Sequence, residues 1–403
     1  MRQRFRYGIS LFLILITVLH IIPVFAMVAA GPELSVKLEM IPPVTLCALG
    51  PINLFYQPEK NLAEKPRLAP TTWRLVEGGA MNLYQSWQVT LMDGWIRLTS
   101  DRGDLITSDL PLLVRSPAGG FELNGKLLWP TDGLLFFNEV GLEDYVTGVL
   151  GSEAYAGWPL EALKANAVAI RTYTLSSLGK HGVFALCAKD HCQVYRGLPQ
   201  APIFQAAVAA TAGEVLTWRG APISAVYHSS SGGRTRNNEE VWAGSPPPYL
   251  RAVEDFDHLG KRYHWSQTYI FTWEELARAL ALPPEQGLWV TPLPSANGER
   301  VGFWFGGNGG GKGLKNEELR RLLGLPSANF RVFRYPELTE ITQSTILPSG
   351  SSLLFTGNGS GHGVGLSQWG AAELATRGYT YRQILRHYYG PEIQLENYTA
   401  AGR

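Results

Sequence analysis

Glu153 is the residue in this chain best placed to do acid–base chemistry. It follows Gly151 and Ser152 and precedes Ala154, Tyr155 and Trp158, between two runs of helical periodicity. A carboxyl at the C-terminal end of a helix faces the negative end of the helix dipole. Aromatic neighbours strip it of water. Both effects disfavour the ionised form and raise the pKa, as a general acid near neutral pH requires. The bland alternative is a solvated loop carboxylate.

Two further polar clusters are framed by glycine, whose missing side chain lets a backbone approach a ligand closely. One is Tyr227-His228-Ser229-Ser230-Ser231-Gly232-Gly233-Arg234, with Glu240 and Trp242 after it; the other runs from Gly357 to Gly370 and holds His362, Gln368 and Trp369. His228 beside three serines invites a serine-hydrolase reading, but there is no G-x-S-x-G elbow. Adjacent residues of a strand also point to opposite faces. A fourth constellation is His181-x5-Cys187-x3-His191-Cys192. Thiolate and imidazole within so short a span suit tetrahedral Zn²⁺. A Cys187–Cys192 disulfide and free thiols are the alternatives.

Around these clusters the sequence patterns the elements that must hold them. Leu142, Tyr145, Val146, Val149 and Leu150 recur at helical spacing just before Glu153. Pro159 opens a second helix with Leu160, Leu163, Ala167, Ile170 and Tyr173 on one face, and Gly179 stands where it should stop. Further helices are expected at 202–213, 273–283, 315–324 and around 371–378. Residues 215–255 read as strand and loop. The glycine run 306–313 fails the phosphate-loop spacing and reads as a flexible surface loop. Short alternating runs between turn residues make 68–138 a β-rich subdomain. Residues 31–67, punctuated by Pro42, Pro43, Pro51, Pro58 and Pro66, read as an irregular lead-in. The expected class is α+β: a β-rich N-terminal part and a mixed helix/strand catalytic core with a substrate groove.

Composition narrows the function. The chain has 403 residues, 45% hydrophobic and 17% charged, which is globular rather than disordered. Its formal net charge of +1 gives no broad basic field, so nucleic acid is not an expected partner. The start reads as a targeting segment, 1–30. Arg2, Arg4 and Arg6 precede an apolar stretch at 9–25, with Val24-Phe25-Ala26 as an imperfect cleavage site. A cleaved signal peptide or a plasma-membrane anchor both fit, and either places the body of the chain outside the cytoplasm. Three cysteines, Cys47, Cys187 and Cys192, leave an odd thiol in an oxidising compartment.

Five blocks resemble the SpoIID/LytB domain family, the stage II sporulation protein D family. They are LEDYVTGVLGSEAYAGWPLEALKANAVAIRTYTL (142–175), HCQVYRG (191–197), VYHSSSGGRT (226–235), EVWAGSPPPYLRAV (240–253) and GHGVGLSQWGAAELATRGYTYRQILRHYYG (361–390). They follow the family's order and place a family-like core at 139–395. The resemblance implies a peptidoglycan lytic transglycosylase acting on peptide-stripped glycan, with Glu153 as its catalytic carboxyl. The family's glutamate is followed by Met and Pro, whereas this chain has Ala154 and Tyr155. Arg171, His228, Ser229, Glu240, His362 and Gln368 are the expected substrate-positioning residues. Tyr155, Trp158, Trp242 and Trp369 are candidates for stacking on sugar rings. The chemistry requires no cofactor, but some members bind zinc, for which His181, Cys187 and Cys192 are the matching residues. LytB-type members imply the alternative: a glycan-binding modifier or enhancer that partners a cell-wall amidase.

Overall fold

The computed structural model describes residues 140–398 apart from 182–185, 198, 200, 284–287, 295–299, 308–309 and 349. Before residue 140 it describes the backbone of the strands from Glu33 onward, with the side chain of Leu34. The targeting segment 1–30 and the side chain of Cys47 lie outside the described residues. Among those described, no helix is long and apolar enough to cross a membrane. The fold is α+β, as expected, with seven α-helices and several sheets among the described residues.

The helices are α1 (Leu142–Glu153), α2 (Leu160–Ser177), α3 (Pro202–Ala209), α4 (Trp273–Leu280), α5 (Asn316–Leu323), α6 (Gln368–Thr376) and α7 (Tyr381–Tyr389). The axis of the first body is α2. Its residues Ala162, Ala165, Ala167 and Ala169 are small and fully buried. Such a surface lets α1, α3, α6 and α7 and the strand Glu214–Trp218 all pack against one helix. Pro159 caps its start and Gly179, at φ +85°, follows its end in the left-handed region, both as the sequence suggests. α7 was not expected: it opens on a Thr380/Gln383 capping box and buries Ile384, Leu385, Tyr388 and Tyr389.

The second body, between Trp265 and Gly357, has its own apolar core of Phe303, Phe305, Phe330, Phe355, Leu276 and Leu319. Two four-stranded sheets build it, with α4 and α5 packed alongside. The glycine run belongs here and is no loose loop: Gly310–Lys315 pairs antiparallel with Arg300–Gly307 as a hairpin. Glycine carries no side-chain periodicity, so the strand was invisible without its partner.

Toward the N-terminus, strands Glu33–Leu38, Val44–Cys47 and Ile52–Tyr56 lie in the stretch read as an irregular lead-in. The prolines stand between these strands rather than within them, and the alternation Leu34, Val36, Leu38 was the overlooked signal. Glu33–Leu38 pairs antiparallel with Leu135–Gly141 and parallel with the two-residue strand Leu186–Cys187, Lys37 lying opposite Cys187. The N-terminal sheet thus reaches the cysteine segment beside the core helices.

Candidate active site and metal centre

Glu153 is the last residue of α1, and the next backbone N–H, that of Ala154, closes the helix on Leu150 O at 2.9 Å. Two features of α1 bring a second chain segment onto this end. A Cβ on Gly148 would stand 2.4 Å from the Tyr195 ring, and one on Gly151 would stand 2.4 Å from Pro199. Only glycine admits so close an approach. Ser152 Oγ donates to Gly148 O and accepts from the Arg196 N–H, stitching the segment down. Gly151 therefore serves the chain's own packing rather than a ligand.

Held this way, Val194 donates its backbone N–H to Glu153 Oε1 at 2.7 Å. The Gln368 amide, from the first residue of α6, reaches Oε2 at 3.3 Å. The Tyr227 hydroxyl lies beside the carboxyl and donates to Gln193 Oε1 at 2.9 Å. Burial pushes the carboxyl up to about 7 despite the Val194 and Gln368 donors and the nearby Tyr227 hydroxyl, and the charge of Asp190 adds to the rise. Desolvation outweighs hydrogen bonding because the donors are few and partly committed elsewhere.

An open cleft of about 1330 Å³ runs past this carboxyl. Tyr155, Trp158 and Trp369 form one wall as a mutually packed triad, with ring centroids 5.1–5.5 Å apart. Tyr155 is 45% exposed, so one ring of the triad faces solvent in the cleft. His228, Ser229, Trp242, His362 and Gln368 line the same cleft. The segments 226–242 and 360–369 therefore do converge on Glu153. Gly361, Gly363 and Gly365 hold the second of them in place with φ of +106°, +81° and +71°.

Both histidines are neutral. Val364 donates its N–H to His362 Nδ1 at 3.1 Å, so the ring hydrogen sits on Nε2, which reaches Tyr227 O at 2.8 Å. His228 Nδ1 meets Val364 O at 3.1 Å and must donate there, leaving Nε2 a buried acceptor with no partner. Burial pushes both imidazoles down. Ser230 and Ser231 are structural. Ser230 Oγ binds Asp257, Ser231 Oγ donates to Asp255 at 2.6 Å, and the Gly232 and Gly233 N–H groups cap Asp257 at 2.9 Å. These commitments leave Ser230 and Ser231 unavailable as nucleophiles, while Ser229 lines the cleft.

Two expected substrate residues lie elsewhere. Arg171 is fully buried; its Nε and Nη2 grip Glu143 at 2.8 and 2.6 Å, and Nη1 donates to Glu214 O. It braces α1, α2 and the Glu214–Trp218 strand and does not line the cleft. Glu240 closes a capping box with Asn237 and pairs with Arg236, also off the cleft. Residues that sequence reasoning missed are Val194, which contributes only backbone, Tyr227 and Gln193. The HCQVY block was the one visible signal for Gln193 and Val194, and Tyr227 stood in the VYHSSSGGRT block without a role assigned to it.

At one end of the cleft, His181, Cys187, His191 and Cys192 bring four ligand atoms within 4.8 Å of one another. His181 Nε2 is 3.0 Å from Cys192 Sγ, and His191 Nδ1 is 3.6 and 3.7 Å from the two sulfurs. The two cysteines are free thiols, not a disulfide. A tetrahedral Zn²⁺ with Zn–S of ~2.3 Å and Zn–N of ~2.0 Å separates its ligand atoms by comparable distances. The donor set therefore fits zinc, with His191 joining the three residues expected.

The family model for stage II sporulation protein matches residues 131–218. Stage II sporulation protein D of Bacillus subtilis is 31% identical over 270 residues, covering 62% of this chain and 73% of that protein. An uncharacterized protein of Brachyspira hyodysenteriae is 30% identical over 281 residues, 67% of this chain and 71% of that one. The amidase enhancer of Bacillus subtilis is 29% identical over 293 residues, but this chain spans only 40% of it.

Proposed function

The chain belongs to the stage II sporulation protein D family, and from that premise we propose that it is a peptidoglycan lytic transglycosylase. The observation that carries the reading is a carboxyl with a pKa raised to about 7, set in an open cleft of about 1330 Å³ beside an aromatic triad. Most glycosidases need two carboxyls, because one must activate water. A transglycosylase needs one. Glu153 gives its proton to the glycosidic oxygen between N-acetylmuramic acid and N-acetylglucosamine as the C1–O bond breaks. An oxocarbenium-like centre forms at C1, aided by the acetamido group. The Glu153 carboxylate then takes the proton of the muramoyl 6-hydroxyl, whose oxygen bonds to C1 and closes a 1,6-anhydro ring. No water is consumed.

The other residues bind and orient. Gln368 and Val194 hold the carboxyl's two oxygens in one plane. The free His228 Nε2 accepts from a sugar hydroxyl or amide, and Tyr155 offers its exposed face to a sugar ring. Zinc held by His181, Cys187, His191 and Cys192 would be structural, fixing the segment that leads to Val194. The substrate places the protein's work outside the cytoplasm.

The test uses residues 31–403 with peptide-free glycan strands and mass spectrometry. Products lighter than hydrolysis products by one water, absent with Glu153→Gln, establish the reading. Normal reducing ends point to a hydrolase, for which Asp190, in the same cleft, is the available second carboxylate. The likeness to an amidase enhancer, with Ala154 and Tyr155 after the glutamate, favours a second reading: the cleft holds glycan without cutting it and partners a cell-wall amidase. Retained binding without cleavage would support it.

A further inference from the structure

Guanidinium groups that the proton chemistry does not use face the cleft, two from α5 of the second body and one from the segment just before that body. Arg262, Arg320 and Arg321 all line the cleft. At its centre is Glu317, 4% exposed in its side chain, which serves three arginines at once. Its Oε2 takes Arg236 Nη1 at 2.9 Å, and its Oε1 takes Arg320 Nη1 at 2.9 Å and Arg321 Nε at 3.2 Å. One carboxylate cannot neutralise three guanidinium groups. Glu240 offsets part of the charge of Arg236, at 3.5 Å, and no carboxylate besides Glu317 meets Arg320 or Arg321 among the described residues. Arg321 spends only its Nε, keeps its terminal fork free, and is 59% exposed. Arg262 is exposed and has no carboxylate partner among the described residues. The whole chain carries a net charge of only +1, so this concentration is local.

The cations line the same cleft as Glu153 and the aromatic triad. Arg320 Nε donates to Pro326 O at 3.4 Å, the oxygen that also takes the Gly361 N–H, immediately before His362. His362 leads through Tyr227 to Glu153. Arg262 follows Lys261, whose ammonium sits 6.0 Å over the Tyr155 ring.

We propose that Arg262 and Arg321, backed by Arg320, form a carboxylate-reading subsite that selects muramic acid bearing a free lactyl carboxylate. This deepens the glycan reading above and rests on it. A chain of N-acetylglucosamine and N-acetylmuramic acid has one anionic group per repeat, the lactyl carboxylate, and loses it wherever a peptide stem occupies it as an amide. A guanidinium fork matches a carboxylate in two parallel hydrogen bonds, whereas an amide offers one acceptor and no charge. Preference for stem-free glycan is then set by charge recognition and not only by the width of the cleft.

The experiment reads binding, so that it does not depend on cleavage. The Glu153→Gln protein is titrated with two preparations of peptide-free glycan oligosaccharide, one with free lactyl carboxylates and one amidated with ammonia and carbodiimide. A roughly tenfold tighter Kd for the free acid is expected, shrinking as salt rises. Adding Arg262→Gln and Arg321→Gln should weaken free-acid binding to the amidated level and leave amidated binding as it was, with melting temperature as the control for folding. Equal affinity for the two preparations before those changes overturns the subsite, as does a preference that survives both. Cleavage of the same oligosaccharides by the unmodified protein is scored separately. A carboxylate preference without cleavage sinks the transglycosylase reading and keeps the subsite; cleavage without the preference does the reverse.

Discussion

At the scale of single residues, Glu153 governs the pH behaviour of this protein. Its carboxyl titrates near pH 7, against about 4.5 in an open chain. The protonated form begins the reaction, so kcat/KM should be level below neutrality and fall tenfold per pH unit well above about 7. His228 and His362 are pushed down and already neutral there, and add no second limb above neutrality. A rate profile from pH 5 to 9 checks this; a limb near the ordinary carboxyl value would contradict it. The same shift has a cost in stability. The folded state holds a proton that the unfolded state releases, so stability falls as pH rises from about 4.5 to about 7 and is level beyond. Glu153→Gln removes the penalty. The variant should match the parent at pH 4 and exceed it above pH 7 by about 1–3 kcal/mol, read by denaturant titration at both pH values. The glutamate itself was legible, because its helix and its aromatic neighbours are local in sequence. The donor that holds it, the Val194 N–H, comes from 41 residues away and carries no side-chain signature.

At the scale of elements, the site depends on one tethered segment. It leaves α2 at His181, passes Cys187 and Cys192, and returns at Gln193 and Val194 to α1. Gln193 is held by Thr174 Oγ1 at 2.8 Å and by the Tyr227 hydroxyl. A bound zinc would clamp the same segment at four points, and a ligand that binds only the folded state raises stability by roughly 4 kcal/mol at a thousandfold excess over its Kd. Chelation should therefore lower the melting temperature, with recovery on adding Zn²⁺ but not Mg²⁺. An unchanged melting temperature with metal-free and zinc-loaded protein would count against a metal here. Periodicity and Pro159 sufficed to place α1 and α2. They could not reveal the glycine hairpin at 300–315, whose strand identity comes from Trp304, Phe305 and Gly306 pairing with Gly313, Lys312 and Gly311.

For the molecule as a whole, Arg171 shows how a polar residue in a family-like block can serve architecture alone. It sits at 0% exposure where α1, α2 and the Glu214–Trp218 strand meet. Arg171→Leu leaves Glu143 without its cation and should cost roughly 3 kcal/mol of stability. Glycan affinity of the folded fraction should not change. A raised Kd with an unaltered unfolding midpoint would return Arg171 to the substrate. The two apolar cores, one around α2 and one under the sheets at 269–357, are each closed by their own residues. The cleft draws residues from both, Glu153 and the aromatic triad from the first and Arg320 and Arg321 from the second.

Residue order alone was enough for the family blocks, the helix that ends at Glu153, and the four-residue Cys/His constellation, because each is written within a short span that local periodicity and chemistry can read. Long-range packing settled the remainder. It took Arg171 and Glu240 out of the site by pairing them, committed Ser230 and Ser231 to Asp257 and Asp255, and turned the arginines of α5 toward the cleft. Whether a polar side chain is spent within the fold or left for a ligand depends on partners tens to hundreds of residues away, and these meet only when the chain has packed.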